Sequence, residues 1–510
     1  MSEGLTRRCA LAGAACVAAA LVLEPERAAA VTRDPPPVSG IVLPDAGIAE
    51  AYEKAAAQNV LAAVDDSVFP GYFSVCADRN GFGRGYSYPS LDGHQLTDAL
   101  LMLGRAETAR RNFAYVRTFQ KPDGRLPLAI LPGVKEVSGQ AVDPNGGLYT
   151  HWVPGNPLRA LAGPTYIQNA DVIYRATLDR VWLKAQIASV NLAADYLASL
   201  VTPEGLVAGG GYYVEFPTRI EYDGVAQCHA ADAFRRVSAL NRLLGDSGST
   251  KRYATLAARV TATFRQRYWV GDHFGEYIHP QKGLIDKHGL TDTNWAAIAC
   301  GLADARQAAA LWPKLRDEAG FAYGGMPTGI AAKPDTYEEW EFALPGHRHD
   351  LAAMGRVWYL ECWARARMGD ADGIIRTLQQ VCRAGKANGY YWRERYHPPE
   401  GAGAGPNTYC EYPANLIRIV NRFLLGIDLG LDGSVTIAPT VPKAYRQQGF
   451  GTTILREGFR LTYRMDDHLL EGAYTARLPV LLKVRCWNGT TKVTRLRASD
   501  EPARVTVRIG

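Results

Sequence analysis

The lengths of the segments between twelve predicted helices are the feature that most constrains this fold. Helical periodicity of apolar residues runs from just after Pro35–Pro37 to about Leu425. It predicts helices near 48–64, 92–103, 106–120, 167–178, 180–200, 225–244, 250–268, 292–303, 305–317, 349–368, 371–385 and 411–425. Connections after the even-numbered helices, such as "LDR" and "MGDADG", are very short. Those after the odd-numbered helices are long, at about 65–91, 121–166, 201–224, 269–291, 318–348 and 386–410.

This alternation predicts six helical hairpins arranged in a ring. Long connections without secondary structure in a compact domain usually carry function. In a ring of hairpins, alternate connections gather at the same end, so all six long loops are expected on one face. The predicted fold class is therefore mainly α, an (α/α)6 barrel over residues 31–426.

The character of the sequence changes after "LLGIDLGLDG". Segments such as "TTILREGFRLTYRM" and "ARVTVRIG" alternate apolar and polar residues in short runs, which is typical of β-strands. We predict a small all-β, sandwich-like domain at residues 427–510.

Residues 1–30 resemble a twin-arginine export signal. Arg7 and Arg8 precede an apolar run from Ala10 to Leu23, which is too short to span a bilayer. Small residues at Ala28–Ala30 fit a cleavage site. We expect a periplasmic or secreted protein, because proteins on this route fold before export. No later segment is predicted to cross a membrane.

Charge and cysteine usage argue against several classes of protein. The net charge is +6 over 510 residues, and no dense Lys/Arg cluster predicts a nucleic-acid groove. Nine cysteines, two of them in the first thirty residues, show no CxxC spacing. The sequence therefore predicts neither a zinc site nor a disulfide scaffold, and it indicates no metal or cofactor site, while a calcium requirement stays open. It leaves the oligomeric state open.

The long loops share a composition suited to carbohydrate. "GGGYYVEFPTRIEYDG" and "NGYYWRERYHPPEGAGAGPNTYCE" mix aromatic residues with carboxylates among glycines. Sugar rings have apolar faces that stack on aromatic rings, and hydroxyl groups that bond to carboxylates, Arg and His. We predict an oligo- or polysaccharide as the partner.

Three motifs carry a resemblance to known enzymes. "WRERY" at Trp392–Tyr396 resembles the aromatic-Glu-Arg-Trp motif of rhamnosidases, with Arg393 inserted between the ring and Glu394. "YCEYPANLIRIVNRFLLGIDLGLDGSVTIAPTVP" resembles the last barrel helix and the entry to the β-domain of rhamnosidases and disaccharide phosphorylases, and "TDTNWAAIACGLA" resembles their eighth helix. The chain thus resembles the six-hairpin glycosidases, such as alpha-L-rhamnosidases, glucoamylases and trehalases.

The resemblance implies an exo-acting, anomer-inverting glycoside hydrolase. Its general acid is expected in the loop between helices five and six, where Glu221 and Asp223 are the candidates. Its general base is expected in the loop between helices eleven and twelve, where Glu394 leads and Glu411 is the reserve. Asp223 and Glu411 also stand where a carboxylate would cap a helix, and a salt bridge to a neighbouring arginine would also explain Glu394.

Substrate-binding residues are expected in the same loops. Glu339 and Trp340 lie in "DTYEEWEF", while Asp92 and His94 begin the second helix in "YPSLDGHQ". The remaining predicted binding residues are Tyr88, Tyr222, His347, Trp392, Arg395 and Tyr396.

Two alternative functions remain open from the sequence. A polysaccharide lyase on a related helical toroid would remove a proton with Tyr or His. A carbohydrate-binding protein without turnover would use the same aromatic and acidic loops.

Overall fold

The computed structural model describes residues 40–150, 156–209, 219, 221–342, 346, 348–398 and 402–509. The predicted export signal and His347 lie outside these residues. The helices of the predicted barrel lie close to their expected positions. They are α1 (Ala46–Lys54, continued by a π-helical turn at Ala55–Val60), α2 (Leu91–Met102), α3 (Ala106–Arg117), α4 (Ala162–Thr177), α5 (Arg180–Ser199), α6 (Gly224–Leu244), α7 (Ser247–Arg267), α8 (Asp292–Ala299), α9 (Ala305–Leu315), α10 (Gly355–Met368), α11 (Ala371–Ala387) and α12 (Glu411–Ile419, continued by a π-helical turn at Val420–Leu424).

Six of these helices form a closed inner ring. The even-numbered helices contact one another in sequence order from α2 to α12, and α12 contacts α2, which closes the ring. The odd-numbered helices pack outside them. All eight residues of α8 are buried, and Arg175 is the one residue of α4 that is not. The predicted (α/α)6 barrel is confirmed.

In four of the short connections, an aspartate caps the N-terminus of the helix that follows. Asp179, Asp246, Asp304 and Asp370 each accept a hydrogen bond from a backbone N–H in the first turn of the next helix. This satisfies a donor that the helix itself leaves unpaired. Asp45 caps α1 in the same way. Outer helices therefore begin directly after a tight turn, and each hairpin stays short at that end of the barrel.

β-Strands occur as small hairpins within the long loops and as two four-stranded sheets after the barrel. The hairpin strands are β1 (Ala129–Ile130), β2 (Glu136–Val137), β3 (Gln140–Ala141), β4 (Gly147–Leu148), β5 (Tyr277–His279), β6 (Gly283–Ile285), β7 (Arg395–His397) and β8 (Ala402–Ala404). The later strands, with a short helix α13 (Lys443–Gln448) among them, are β9 (Ile427–Leu429), β10 (Val435–Ile437), β11 (Phe450–Arg456), β12 (Phe459–Met465), β13 (Leu469–Ala476), β14 (Val480–Arg485), β15 (Thr491–Leu496) and β16 (Ser499–Arg508).

The two sheets lie against one end of the barrel. Their strand orders are β15-β14-β10-β9 and β11-β12-β13-β16, and only the β10–β14 pair among these strands is parallel. Strand β11 contacts α2 and α4, and Glu457 N donates to Ala176 O near the C-terminal end of α4 at 2.9 Å. The N-terminal ends of the inner helices therefore lie away from the sheets. Among the described residues, no helix combines the length and apolarity needed to cross a membrane.

Helix α11 has a close contact that anchors the loop after it. Gly385 lies against the indole of Trp392, which is fully buried and donates from Nε1 to Val381 O at 3.0 Å. A Cβ at Gly385 would overlap the ring.

We expect Gly385→Ala to lower the free energy of unfolding by about 1–3 kcal/mol, because overpacking displaces the Trp392 ring. Gly248 in α7 is the matched control, since it is helical and exposed and meets only Asp246 Oδ1 at 3.5 Å. Gly248→Ala should be neutral or stabilise by up to about 1 kcal/mol. Denaturant unfolding of both variants checks this, and equal effects would contradict the proposed contact.

Candidate functional site

A cavity of about 430 Å³ lies at the N-terminal ends of α2, α10 and α12. Four of the six long loops contribute to this cavity. These four loops therefore lie on one face of the barrel, as the alternation of short and long connections predicted. The lining residues are Val75, Phe82, Tyr86, Tyr88, Asp92, Ala129, Leu131, Val134, Val137, Ser138, His349, Arg356, Glu394, Arg395 and Tyr409. One wall is therefore mostly apolar and aromatic. The polar part of the lining consists of two carboxyl groups (Asp92 and Glu394), two guanidinium groups (Arg356 and Arg395) and the imidazole of His349. This volume is ordinary for a small-molecule site.

Glu394 lies in this cavity with 8% of its side chain exposed. Its Oε1 is ion-paired with Arg395 Nη1 and lies 3.8 Å from Arg356 Nη2. Burial raises the pKa of Glu394 to about 7, although Arg395 and Arg356 oppose that shift. The adjacent Arg393 instead donates to Gly405 O at 3.3 Å.

Both arginines beside Glu394 are shared with other carboxylates. Arg395 Nε donates to Asp350 Oδ1 at 2.8 Å. Arg356 donates from Nε and Nη2 to Glu411 Oε2, at 2.9 and 2.6 Å. Each guanidinium charge is thereby divided between two acids. The positive charge near Glu394 is too small to offset its burial, which explains the direction of its pKa shift.

Glu411 is the first residue of α12 and is almost fully buried. Besides the guanidinium of Arg356, its carboxylate accepts a hydrogen bond from the backbone N–H of Arg356. Burial raises the pKa of Glu411, while Arg356 opposes this. The carboxylate therefore fixes the start of α10 and orients the Arg356 side chain towards the cavity.

Asp92 faces Glu394 across Arg356. Tyr409 donates its hydroxyl hydrogen to Asp92 Oδ1, and Arg356 Nη2 lies 3.9 Å from the same oxygen. Since Arg356 Nη2 is within 4 Å of both acids, the Asp92 and Glu394 oxygens are less than about 8 Å apart. Two carboxyl groups within this distance can act on one small molecule from two sides.

The predicted acids of the α5–α6 loop occupy different surroundings. Glu221 has 23% of its side chain exposed, is ion-paired with Arg159, and accepts from Gly209 N at 3.1 Å. Asp223 is fully buried, caps α6 by accepting from Ala226 N at 3.0 Å, and accepts from Arg219 Nη1 at 3.2 Å. Of the four predicted catalytic residues, Glu394 alone belongs to the cavity lining that the described residues form.

A buried cluster of charges joins three of the long loops. Fully buried Arg219 contacts Asp223, Glu276 and Asp292. His288 bonds to Glu276 and to Glu341. Burial alone lowers the pKa of His288, but these two hydrogen bonds outweigh it and raise the pKa to about 9. The imidazolium thus links the loop before α8 to the loop before α10.

The predicted binding residues are divided among several environments. Tyr88, Asp92 and Arg395 line the cavity, whereas His94 is buried below it, on the inward side of α2. Glu339 and Trp340 are exposed: Glu339 is ion-paired with Arg348, and Trp340 lies beneath Lys282.

Three further predicted residues have packing contacts. Trp392 packs inside the protein against α11, and the Tyr396 ring meets that of Tyr412 edge to face. Tyr222 has a positive φ of 48°, and its carbonyl accepts from Tyr268.

Sequence reasoning missed several residues that shape the cavity. The sequence predicts a helix from residue 349, which puts Arg356 in its second turn, whereas α10 begins at Gly355 and Arg356 lies at its start. Tyr409 lies in the long loop before α12, where its local sequence does not distinguish it from the other tyrosines of that loop. The apolar wall formed by Leu131, Val134 and Val137 comes from a loop whose hairpins gave no clear strand pattern.

Comparison with known proteins agrees with this fold. Residues 225–410 match the family model of the mannosylglycerate hydrolase MGH1-like glycoside hydrolase domain. A family 78 rhamnosidase of Bacillus sp. GL1 is 14% identical with a TM-score of 0.61, over 84% of this chain and 40% of that one. An alpha-L-rhamnosidase from Dictyoglumus thermophilum is 11% identical with a TM-score of 0.59, over 93% of this chain and 49% of that one. The chain therefore spans less than half the length of either rhamnosidase.

A smaller protein is similar over nearly its whole length. The family 63 mannosylglycerate hydrolase from Thermus thermophilus is 13% identical with a TM-score of 0.52, over 72% of this chain and 98% of that one. A search of curated protein sequences gives no significant match. These solved structures share the six-hairpin fold that the sequence motifs predicted. Over residues 225–410 the chain is similar to a glycoside hydrolase domain.

Proposed function

We propose that this chain is an exported, exo-acting glycoside hydrolase that inverts the anomeric configuration. The observation that carries the proposal is the buried Glu394, whose pKa is raised to about 7, in a cavity where Asp92 lies less than about 8 Å away. A carboxyl group that titrates near neutrality suits proton transfer. The apolar and aromatic wall suits the face of a sugar ring. The loop between α3 and α4 lines one side of the cavity with Leu131, Val134 and Val137, as suits a site for the end of a saccharide chain.

Glu394 acts as the general base in this mechanism. Ionised Glu394 accepts a proton from a water molecule that attacks the anomeric carbon. In inverting enzymes a separation of roughly 6.5–9.5 Å between the acid and the base leaves room for this water, so the acid must come within that distance of Glu394 when substrate is bound. Asp92, held by Tyr409, accepts a hydrogen bond from a hydroxyl group of the terminal sugar. Glu411 acts indirectly, by orienting Arg356.

The general acid is assigned to the α5–α6 loop, with Glu221 as the leading residue. Asp223 is less suited, because Arg219 and the α6 N-terminus already bind its two oxygens. Glu221 is ion-paired with Arg159, so its carboxyl group reaches the leaving group only after substrate separates that pair. Asp92 is the second candidate for the acid, since it already faces the cavity.

The protonation state of two tyrosines in the cavity argues against the lyase alternative. Burial raises the pKa of both Tyr88 and Tyr409, and nearby Asp92 adds to each shift. Both hydroxyl groups are therefore protonated at neutral pH and are poor proton acceptors. A lyase product would still be recognised by the ultraviolet absorbance of its unsaturated sugar.

We expect Glu394→Gln to lower kcat by about 10²–10⁴-fold, because the amide cannot accept the proton from water. The measurement is a screen of aryl glycosides and polysaccharides, with proton NMR of the first-formed anomer. The control is Glu204→Gln, at an exposed loop carboxylate, which should retain wild-type activity. Binding without turnover in the wild type would identify a carbohydrate-binding protein, and a retained anomer would refute the inverting mechanism.

The general acid can be identified from how the activity of each variant depends on the leaving group of the substrate. A variant that lacks the acid should hydrolyse a dinitrophenyl glycoside nearly normally and lose activity on alkyl glycosides, because only the poor leaving group needs protonation. We expect this pattern from Glu221→Gln. The same pattern from Asp92→Asn, with Glu221→Gln active on both substrates, would transfer the role to Asp92.

The direction in which activity changes with pH tests the role of Glu394. If Glu394 is the base, kcat/KM falls as pH drops below about 7, because protonation removes the acceptor. The expected slope is about tenfold per pH unit. If activity falls as pH rises through about 7, Glu394 is the acid.

Export is tested at the first thirty residues. The wild-type chain should appear in the periplasm or medium with Val31 as its N-terminus. Replacing Arg7 and Arg8 together by lysine should retain the full-length chain inside the cell, because the twin-arginine route reads the arginine pair. N-terminal sequencing of each fraction gives the answer, and unchanged export of the variant would refute this route.

A further inference from the structure

The inner ring encloses a second, smaller cavity of about 30 Å³. Five of the six inner helices line it, which places it at the centre of the barrel. Its charged and ionisable lining consists of Arg236, Arg356, Arg418, His94, His229 and Tyr359, and among the described lining residues there is no carboxylate. Arg356 also lines the larger cavity, so it separates the two.

The polar groups around this cavity are mainly hydrogen-bond donors. His94 donates from Nδ1 to Asn169 Oδ1 at 2.8 Å, and its Nε2 accepts from Arg418 Nη2 at 3.4 Å. His229 Nδ1 lies 3.4 Å from Gln168 Nε2 and accepts from it, so the neutral ring carries its proton on Nε2. Burial lowers the pKa of both imidazoles to about 3, which keeps them neutral.

One buried donor has no acceptor within the described structure. Gln95 Nε2 is buried and lacks a hydrogen-bond partner, although Gln95 Oε1 accepts from Asn415. Gln95 is 1% exposed and lines the cavity. An unsatisfied buried N–H group is unfavourable, so this group implies an acceptor at the centre of the barrel.

The carboxylates that neutralise the three arginines lie outside the lining. Arg236 bonds to Asp171 and Asp232. Asp98 accepts from Arg418 and also from Arg422, so one buried carboxylate serves two guanidinium groups. The charged side chains that line the cavity itself are therefore all cationic.

We propose that this cavity binds a chloride ion. About 10–15 Å³ is enough to hold one water molecule, so about 30 Å³ accommodates a single halide but not a sulfate, phosphate or sugar. Gln95 Nε2 and the facing guanidinium groups donate to the ion. Through Arg356 the ion lies next to the larger cavity, where its negative charge disfavours ionisation of Glu394. This inference stands independently of the proposed hydrolase activity.

Bromide diffraction tests the site directly. Crystals of the unaltered protein, grown with sodium bromide, should give an anomalous peak within about 3.5 Å of Gln95 Nε2. Water density without anomalous signal at that position would overturn the proposal.

Thermal unfolding supplies a second test in solution. At equal ionic strength, sodium chloride should raise Tm above its value in sodium methanesulfonate by at least about 1 °C, because the ion binds only the folded state. Gln95→Glu should abolish this difference, since its carboxylate supplies the negative charge and still accepts from Asn415. Gln447→Glu adds the same charge at an exposed site and should keep the difference. A chloride response that survives in Gln95→Glu, or none in the wild type, would refute the site.

Discussion

Closure of the inner ring is the constraint on which the rest of the structure depends. Helices packed on all sides leave no face for bulk water, so each polar side chain on them must find its partner within the protein. Asp98 is matched with Arg418 and Arg422, and Asp171 with Arg175 and Arg236. Pairs of this kind add little net stability, but removing one partner leaves a buried charge and is costly. They fix the relative positions of the inner helices, and thereby the rim at which the long loops meet.

Two buried carboxyl groups at different depths of the barrel have pKa values shifted in opposite directions. Asp98 and Glu394 are both buried, and burial by itself raises the pKa of each. At Asp98, two arginines bind directly, outweigh burial and lower the pKa. At Glu394, Arg395 is shared with Asp350 and Arg356 with Glu411, so burial prevails. An acid such as Asp98, which two arginines bind directly, therefore stays ionised. An acid such as Glu394, whose arginines also bind other carboxylates, can exchange a proton near neutrality.

The sequence predicted the architecture because helical period and loop length are local quantities. Asp179, Asp246, Asp304 and Asp370 mark helix starts next to short turns, and this information lies within a few residues. The hairpin count and the face that carries the long loops follow from it.

Site residues were harder to predict because their environments depend on distant partners. "EEWEF" offered three acids, and the structure buries Glu341 beside His288 while Glu339 remains exposed. Arg219 and His288 lie 69 positions apart, yet both bind Glu276. No periodicity in a single sequence connects residues at such separations.

Two carboxyl groups on separate loops can cooperate only if both loops are held still, and the chain uses a different anchor for each. The loop that carries Glu394 is fixed by an apolar contact, with the Trp392 indole inserted against Gly385 of α11. The loop that carries Glu221 is fixed two residues away by Arg219, which binds acids from three places in the chain. An ionic anchor weakens when its acids are protonated, whereas an indole packed on a helix does not respond to pH. The Trp392 anchor of the loop that carries the base is therefore insensitive to pH, whereas the Arg219 anchor of the Glu221 loop depends on the ionisation of its acids.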